Sequence, residues 1–361
     1  MQWGHRPAAK REGDFAMRWG HLPLAGESGA IKPSIDPIRW QPPPSRPLPA
    51  PDFTADLHLV AVPGTAPEDV VVDADGNIWT GVEDGRVVRI SPDGGSVQVV
   101  ADTGGRPLGL AVDRDGRLLI CDSHRGLLRY DPGTGAIETL VAEVAGRKLT
   151  FCSNVVESSD GTIFFTESTS RFYYEYYKGS VIEGRPTGSL FRRDPDGTVS
   201  ELASGLYFAN GVTLTADESA VVYAETTACR LSKYWLAGDR AGTITPLVTA
   251  LPGYPDNIST GLDGRIWVAL VSDRNPLNEW LGPRAPIIRS LMWRLLPYRW
   301  LPNPKSTVWV AAFDPDDGHV VSQLRTQHAE FGLATGVVET PGRLWLGRIG
   351  GTGVGCLPIV N

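Results

Sequence analysis

A short phrase occurs six times in this chain: an apolar run, a turn built on Asp-Gly or a near variant, and a second apolar run. The copies are Val70–Trp79, Leu110–Leu119, Val155–Phe164, Val212–Val221, Ile258–Trp267 and Val337–Trp345. The turn residue is Gly76, Gly116, Gly161, Gly264 or Gly342, and Glu218 in the degenerate fourth copy. Self-similarity at a period of about 40–50 residues is the mark of β-propeller blades. One blade cannot bury both of its faces, so the copies must close on one another. The expected architecture is all-β, a six-bladed β-propeller over 53–361 preceded by an extended tail over 1–52.

The first copy shows the grammar of a four-stranded blade. Val70–Asp73, Asn77–Val82, Arg86–Ile90 and Val97–Val100 read as strands, with Glu83-Asp84-Gly85 as a hairpin turn. Phe53–Val62 and Leu357–Val360 are the runs expected to pair and close the ring. The 57-residue step from 161 to 218 holds an insertion at Arg171–Thr187, with the aromatic cluster Tyr173–Tyr177. The 78-residue step from 264 to 342 holds a larger one, 275–304, expected as a helical cap between blades five and six. There Ile287, Leu291 and Leu295, with Ile288, Met292 and Leu296, repeat at helical spacing. Arg284, Arg289, Arg294 and Arg299 decorate the same stretch, beside Trp293 and Trp300. A helix packed on the propeller, a substrate lid, and peripheral membrane contact through 284–300 are the three uses of such a segment. Gln41-Pro42-Pro43-Pro44 predicts an extended strap.

Composition removes several function classes. The net charge is −7 with no basic block, so the electrostatic footprint of a nucleic-acid binder is missing. The four cysteines form no C-x-x-C pair, which reads as buried reduced thiols. The first 30 residues hold no apolar signal core, and no apolar run reaches about 18 residues, so a cytoplasmic location is expected. No G-x-S-x-G elbow and no H-E-x-x-H occurs.

The repeat also works as a ruler. Eight residues before the turn position, seven in the sixth copy, stand Glu68, Leu108, Ser153, Asn210, Asp256 and Thr335. Equivalent strand register should put them in one ring on the propeller axis. Asn154 and Asn257 follow two of them. Two carboxylates with amide oxygens suit a hard cation such as Ca²⁺, with Mg²⁺ or another divalent ion as the alternative. Asn and Asp also begin strands for turn chemistry alone. His124 lies at a turn facing the same end and is a candidate general base. Gly347–Gly353 resembles a phosphate loop, but no helical pattern follows it.

Gly105-Arg106-Pro107-Leu108-Gly109, Ala209-Asn210-Gly211-Val212, Ala224-Glu225-Thr226-Thr227 and Leu251–Ile258 resemble the strictosidine synthase-like branch of the gluconolactonase superfamily. They are similar to relatives of adipocyte plasma membrane-associated protein. The resemblance implies a six-bladed propeller with Ca²⁺ in its channel and lactonase or arylesterase activity. It implies Glu68, Asn210 and Asp256 as metal ligands; in the third blade Ser153 occupies the usual Asn position, which leaves two options, Asn154 as the ligand or a looser, partly hydrated site. The sixth blade reads Ala334-Thr335-Gly336, without the glutamate that strictosidine-type condensation uses.

The expected function is a metal-dependent hydrolase of lactones or aryl esters. Glu68, Asp256 and His124 are its catalytic candidates; Ser153, Asn257, Thr335 and Tyr173 are its substrate contacts. The expected partner is a small hydrophobic or aromatic substrate. A non-catalytic propeller binding a small ligand or a partner is the alternative, and a condensing enzyme the third reading.

Overall fold

The recurring turn shows why the phrase repeats. Asp73 accepts from the backbone N–H of Asp75 (3.0 Å) and Asn77 (2.9 Å), while Gly76 takes φ +83° to reverse the chain. Positive φ favours glycine because it lacks a Cβ. In the fourth copy Glu218 holds the same left-handed conformation, φ +54°, and its carboxylate accepts from Ser159 N–H (2.9 Å) of the preceding blade.

The structure is a computed structural model and describes residues 32–52 and 56–359. Within them are six four-stranded antiparallel sheets. Their inner strands are Val71–Val72, Pro107–Val112, Cys152–Glu157, Ala209–Leu214, Gly253–Thr260 and Ala334–Thr340. The ring closes where His58–Val60 becomes the outer strand of blade six, His58 opposite Cys356 and Val60 opposite Val354. The partner strand, Val354–Pro358, begins before the expected Leu357. The reason is that Gly350, Gly351 and Gly353, all at positive φ, form the hairpin turn immediately preceding it. The glycine-rich stretch is therefore a hairpin. Of the closing runs, 53–55 and 360 lie outside the described residues, as does 1–31 of the tail.

Apolar clusters fill the wedges between neighbouring blades. One joins Leu119 and Cys121 of blade two to Ile163, Phe165 and Phe191 of blade three, all buried. Burying such side chains is worth roughly 1.5–3 kcal/mol each, and it can be realised only between blades.

Both insertions leave from the second-to-third strand hairpin, on the face where the inner strands begin. In blade three the insertion carries α1, Tyr177–Glu183. The larger insertion belongs to blade five, between Ile266–Asp273 and Val308–Phe313, rather than lying between blades five and six. It carries α2, Pro276–Leu281, and α3, Pro286–Leu295. Asn275 caps α2 through Leu277 N–H (3.0 Å). Residues 32–52 cross this face as extended chain, with Ile38 N–H on Glu183 O (3.1 Å) and Trp40 N–H on Gly282 O (3.1 Å).

The apolar stripe of α3 does not supply its packing face. Arg289 and Trp293 point inward, while Ile287, Ile288, Leu291 and Leu295 are exposed. Arg289 donates to the carbonyls of Ile182 (2.8 Å), Glu183 and Ile38. Trp293 Nε1 donates to Pro33 O (2.8 Å). The C-terminal carbonyls of α1 and the strap need donors when buried, and the arginine provides them.

Candidate functional site

The inner strands are bulged where the ring residues sit. In blade three, Cys152 pairs with Glu167 but Val155 with Phe165, so one extra residue is accommodated at Ser153-Asn154. The same shift falls at Leu108-Gly109, Asn210-Gly211, Asp256-Asn257 and Thr335-Gly336. In a regular strand, successive side chains point to opposite faces. The bulge breaks that alternation, so in blades three and five two consecutive side chains serve the channel at two depths.

The lower layer is set by available space. Asp69, Asn154 and Asn257 come from blades one, three and five, and Gly109, Gly211 and Gly336 stand at the same register in blades two, four and six. A Cβ on Gly211 would lie 2.4 Å from Ile258 N, and one on Gly109 would lie 2.5 Å from Asn154 Cα. Three side chains fill this level and three blades must be bare. Asn154 Nδ2 donates to Asp69 Oδ2 (3.1 Å) and Asn257 Oδ1 (3.0 Å), and its Oδ1 accepts from Val212 N–H (3.2 Å). Asn154 and Asn257 are thus committed below the cavity. Asn257 Nδ2 supports Glu68 Oε1 (3.2 Å).

The upper layer faces a cavity of 110 Å³, whose floor is Glu68, Ser153, Asn210 and Asp256. Asn210 Nδ2 donates to Asp256 Oδ1 (2.6 Å) and Thr226 Oγ1 (3.2 Å), and Ser153 Oγ donates to Asn210 Oδ1 (3.0 Å). Glu68 Oε2 is buried without any partner among the described residues. Thr335 is fully buried, and its hydroxyl donates to the Glu68 carbonyl (2.6 Å), which fixes the backbone that carries the glutamate.

Three carboxylates with little counter-charge are costly here. Burial pushes Asp256 up to about 8 and Asp69 up to about 7. Glu68 rises well above the carboxylate range through burial and the charges of Asp256 and Asp69, against the opposing pull of Arg106. Raised carboxyls grouped at a buried cavity floor mark a site that takes a cation or a proton. The donor set fits a hard divalent ion: all oxygen, anionic, with one carboxylate oxygen free.

The walls are aromatic: Phe151, Tyr174, Tyr177 and Phe208. Phe208 holds φ +59°, a conformation that costs a bulky residue about 1–3 kcal/mol and is kept where a site demands it. Lys178 of α1 closes the roof. Its Nζ donates to Tyr298 O (3.3 Å) and Asn303 Oδ1 (2.5 Å), and burial pulls it down to about 8.

His124 and Tyr173 stand apart from this cavity. His124 Nε2 pairs with Glu175 (2.7 Å), and its ring packs on Tyr173 with centroids 5.4 Å apart. The hydrogen bond to Glu175 raises the histidine. Sequence spacing pointed to the floor of the cavity. It missed Tyr174, Tyr177 and Lys178, although the first two belong to the aromatic cluster it flagged.

Residues 82–275 match the family model described as SMP-30/Gluconolactonase/LRE-like region, and 55–90 match strictosidine synthase-like, N-terminal. The chain belongs to this family. Within it, Protein STRICTOSIDINE SYNTHASE-LIKE 6 of Arabidopsis thaliana is 32% identical over 293 residues, 79% of this chain and 78% of that protein. Adipocyte plasma membrane-associated protein of Salmo salar is 34% identical over 240 residues, covering 60% of this chain and 57% of that protein. A gluconolactonase structure from Xanthomonas campestris aligns with TM-score 0.62 at 20% identity, over 91% of this chain and 99% of that one. Regucalcin of Agrobacterium tumefaciens, a calcium-binding protein, aligns with TM-score 0.56 at 16% identity, over 83% and 94%. These structural likenesses are of fold, and the fold is the six-bladed propeller expected from the repeat.

Proposed function

We propose that the cavity is the active site of a divalent-metal-dependent hydrolase for lactones or esters of aromatic or hydrophobic character. The observation that carries this is Glu68 Oε2: a buried carboxylate oxygen with no partner among the described residues, beside Asp256, on the floor of an aromatic cavity. Glu68, Asn210 and Asp256 would hold the ion, Ca²⁺ in the first instance, with Ser153 beside them. A bound divalent ion supplies charge that polarises a carbonyl and steadies a developing oxyanion.

The chain's own residues do the rest. Asn210 Oδ1 accepts only from Ser153 among the described residues, so a lone pair stays available. Asn257 and Thr335 hold Glu68 at its carboxylate and its backbone. Among the described residues, Glu68 and Asp256 are the only carboxylates lining the cavity, so the proton of an attacking water passes to one of them. Tyr174, Tyr177, Phe151 and Phe208 exclude bulk water and accept a flat or apolar acyl group. Burial raises both tyrosines, so they stay protonated.

The test is hydrolysis of phenyl acetate and simple lactones with and without chelator. Loss of turnover on chelation and in Glu68→Gln and Asp256→Asn supports the reading; unchanged turnover in both variants refutes it. The second reading, a non-catalytic ligand-binding propeller, is favoured by the position of His124, held by Glu175 away from the cavity. It predicts saturable binding of aromatic esters without turnover. The described part of the sixth blade brings no carboxylate into the cavity, which disfavours condensation chemistry.

A further inference from the structure

The outer face of the cap carries an apolar patch that the propeller does not use. Trp280, Ile287, Leu291, Leu295 and Trp300 are 53%, 61%, 48%, 71% and 65% exposed. Outside the cap, the exposed large apolar side chains among the described residues are Val99, Ile244, Leu262 and Val321, scattered over the blades. Clustering of this kind marks an interaction surface.

The charge around the patch selects the partner. The chain is −7 overall, yet from Trp280 to Phe313 it contains no Asp or Glu and five cations, Arg284, Arg289, Arg294, Arg299 and Lys305. Arg289 is turned inward on backbone carbonyls. Arg294, Arg299 and Lys305 are exposed on the same stretch of chain, and Arg284 lies 3.6 Å over the Trp280 ring. An apolar helical face rimmed by arginines, with two tryptophans at its margin, matches an interfacial helix lying on an anionic bilayer. A protein partner with an acidic groove would also satisfy the arginines, but protein interfaces bury their tryptophans centrally, whereas Trp280 and Trp300 flank α3 at either end.

We propose that α3 and its flanks dock this protein onto anionic lipid, with Leu291 and Leu295 inserted and Arg294 and Arg299 at the headgroups. The inner side of the same cap, through Asn278, Pro302 and Asn303, lines the cavity. Docking therefore brings the cavity roof against the membrane, where hydrophobic substrates concentrate. The inference does not depend on the hydrolase reading.

The experiment is co-sedimentation of the full chain with phosphatidylcholine vesicles, with and without about 30% phosphatidylserine. Each arginine near an anionic surface is worth about fivefold in partitioning. The full chain is expected to bind the mixed vesicles and to be released by high salt. Arg294→Glu with Arg299→Glu should lose more than about 25-fold. Leu291→Asp with Leu295→Asp should abolish binding while leaving the melting temperature unchanged. The proposal is overturned if the full chain ignores both vesicles, if the leucine variant binds equally, or if the protein is a dimer that the leucine variant converts to monomer.

Discussion

Replacing Asp256 by Asn should make the metal-free protein more stable, not less. Burial lifts the Asp256 carboxyl from an ordinary 3.8 to about 8. The unfolded chain releases that proton near 4, the folded chain only near 8. Between those values the folded state holds more protons, so stability falls as pH rises through the window. Each unit is worth 1.36 kcal/mol, so holding Asp256 ionised above pH 8 costs at most on the order of 5 kcal/mol. The amide that replaces the carboxyl cannot ionise, and its carbonyl can still accept from Asn210 Nδ2, which now sits 2.6 Å from Asp256 Oδ1. For roughly 300 ordered residues the melting entropy gives about 1.6 °C per kcal/mol. Asp256→Asn should therefore melt up to about 8 °C higher than the parent in chelator at pH 8.5. The gap should close towards pH 5, where the parent carboxyl is itself protonated. Added Ca²⁺ should raise the parent and leave the variant unmoved. Thermal melts over that pH range, with and without Ca²⁺, read all three effects. A variant that melts at or below the parent in chelator at pH 8.5, or a gap indifferent to pH, would refute the argument.

Three further outcomes follow from the geometry. Calorimetric titration of Ca²⁺ near pH 7, in buffers of different ionisation heat, should show release of roughly one proton or more, because ligands must deprotonate to bind. His124→Ala should change ester turnover by less than about threefold, below the usual general-base contribution of about 10²–10⁴, since its imidazole is held by Glu175 outside the cavity; a larger loss would return it to the catalytic set. Gly211→Ala should cost about 3 kcal/mol or more in denaturant melts, as overpacking does, because its Cβ would meet the Ile258 backbone nitrogen at 2.4 Å.

The propeller was legible because its signal is repeated: each turn needs a left-handed residue, and five of six copies place Gly there. Glu218 shows how a local exception survives, compensated by its bonds to Ser159. The floor of the cavity was legible for the same reason, since register carries Glu68, Ser153, Asn210 and Asp256 to one level. Which of Ser153 and Asn154 faces the cavity was not, because it depends on a bulge that leaves no residue type of its own. The roof was illegible for a different reason. Lys178 and Asn303 lie 125 positions apart in two insertions with no periodicity in common. The α3 stripe followed helical spacing correctly, but spacing does not say which face turns inward; Arg289 and Trp293 settled that through backbone acceptors on α1 and the strap.

The alternation of Asp69, Asn154 and Asn257 with three glycines has a kinetic consequence. Among the described residues these side chains bond to one another across the axis beneath Glu68, as the floor of a well rather than a tunnel would require. In a well of that kind, whatever enters past the cap leaves past it, and reactant and product share one doorway. Turnover would then be limited by traffic at the cap, so that tightening the contact of Lys178 with Asn303 slows release even when the floor of the well is untouched.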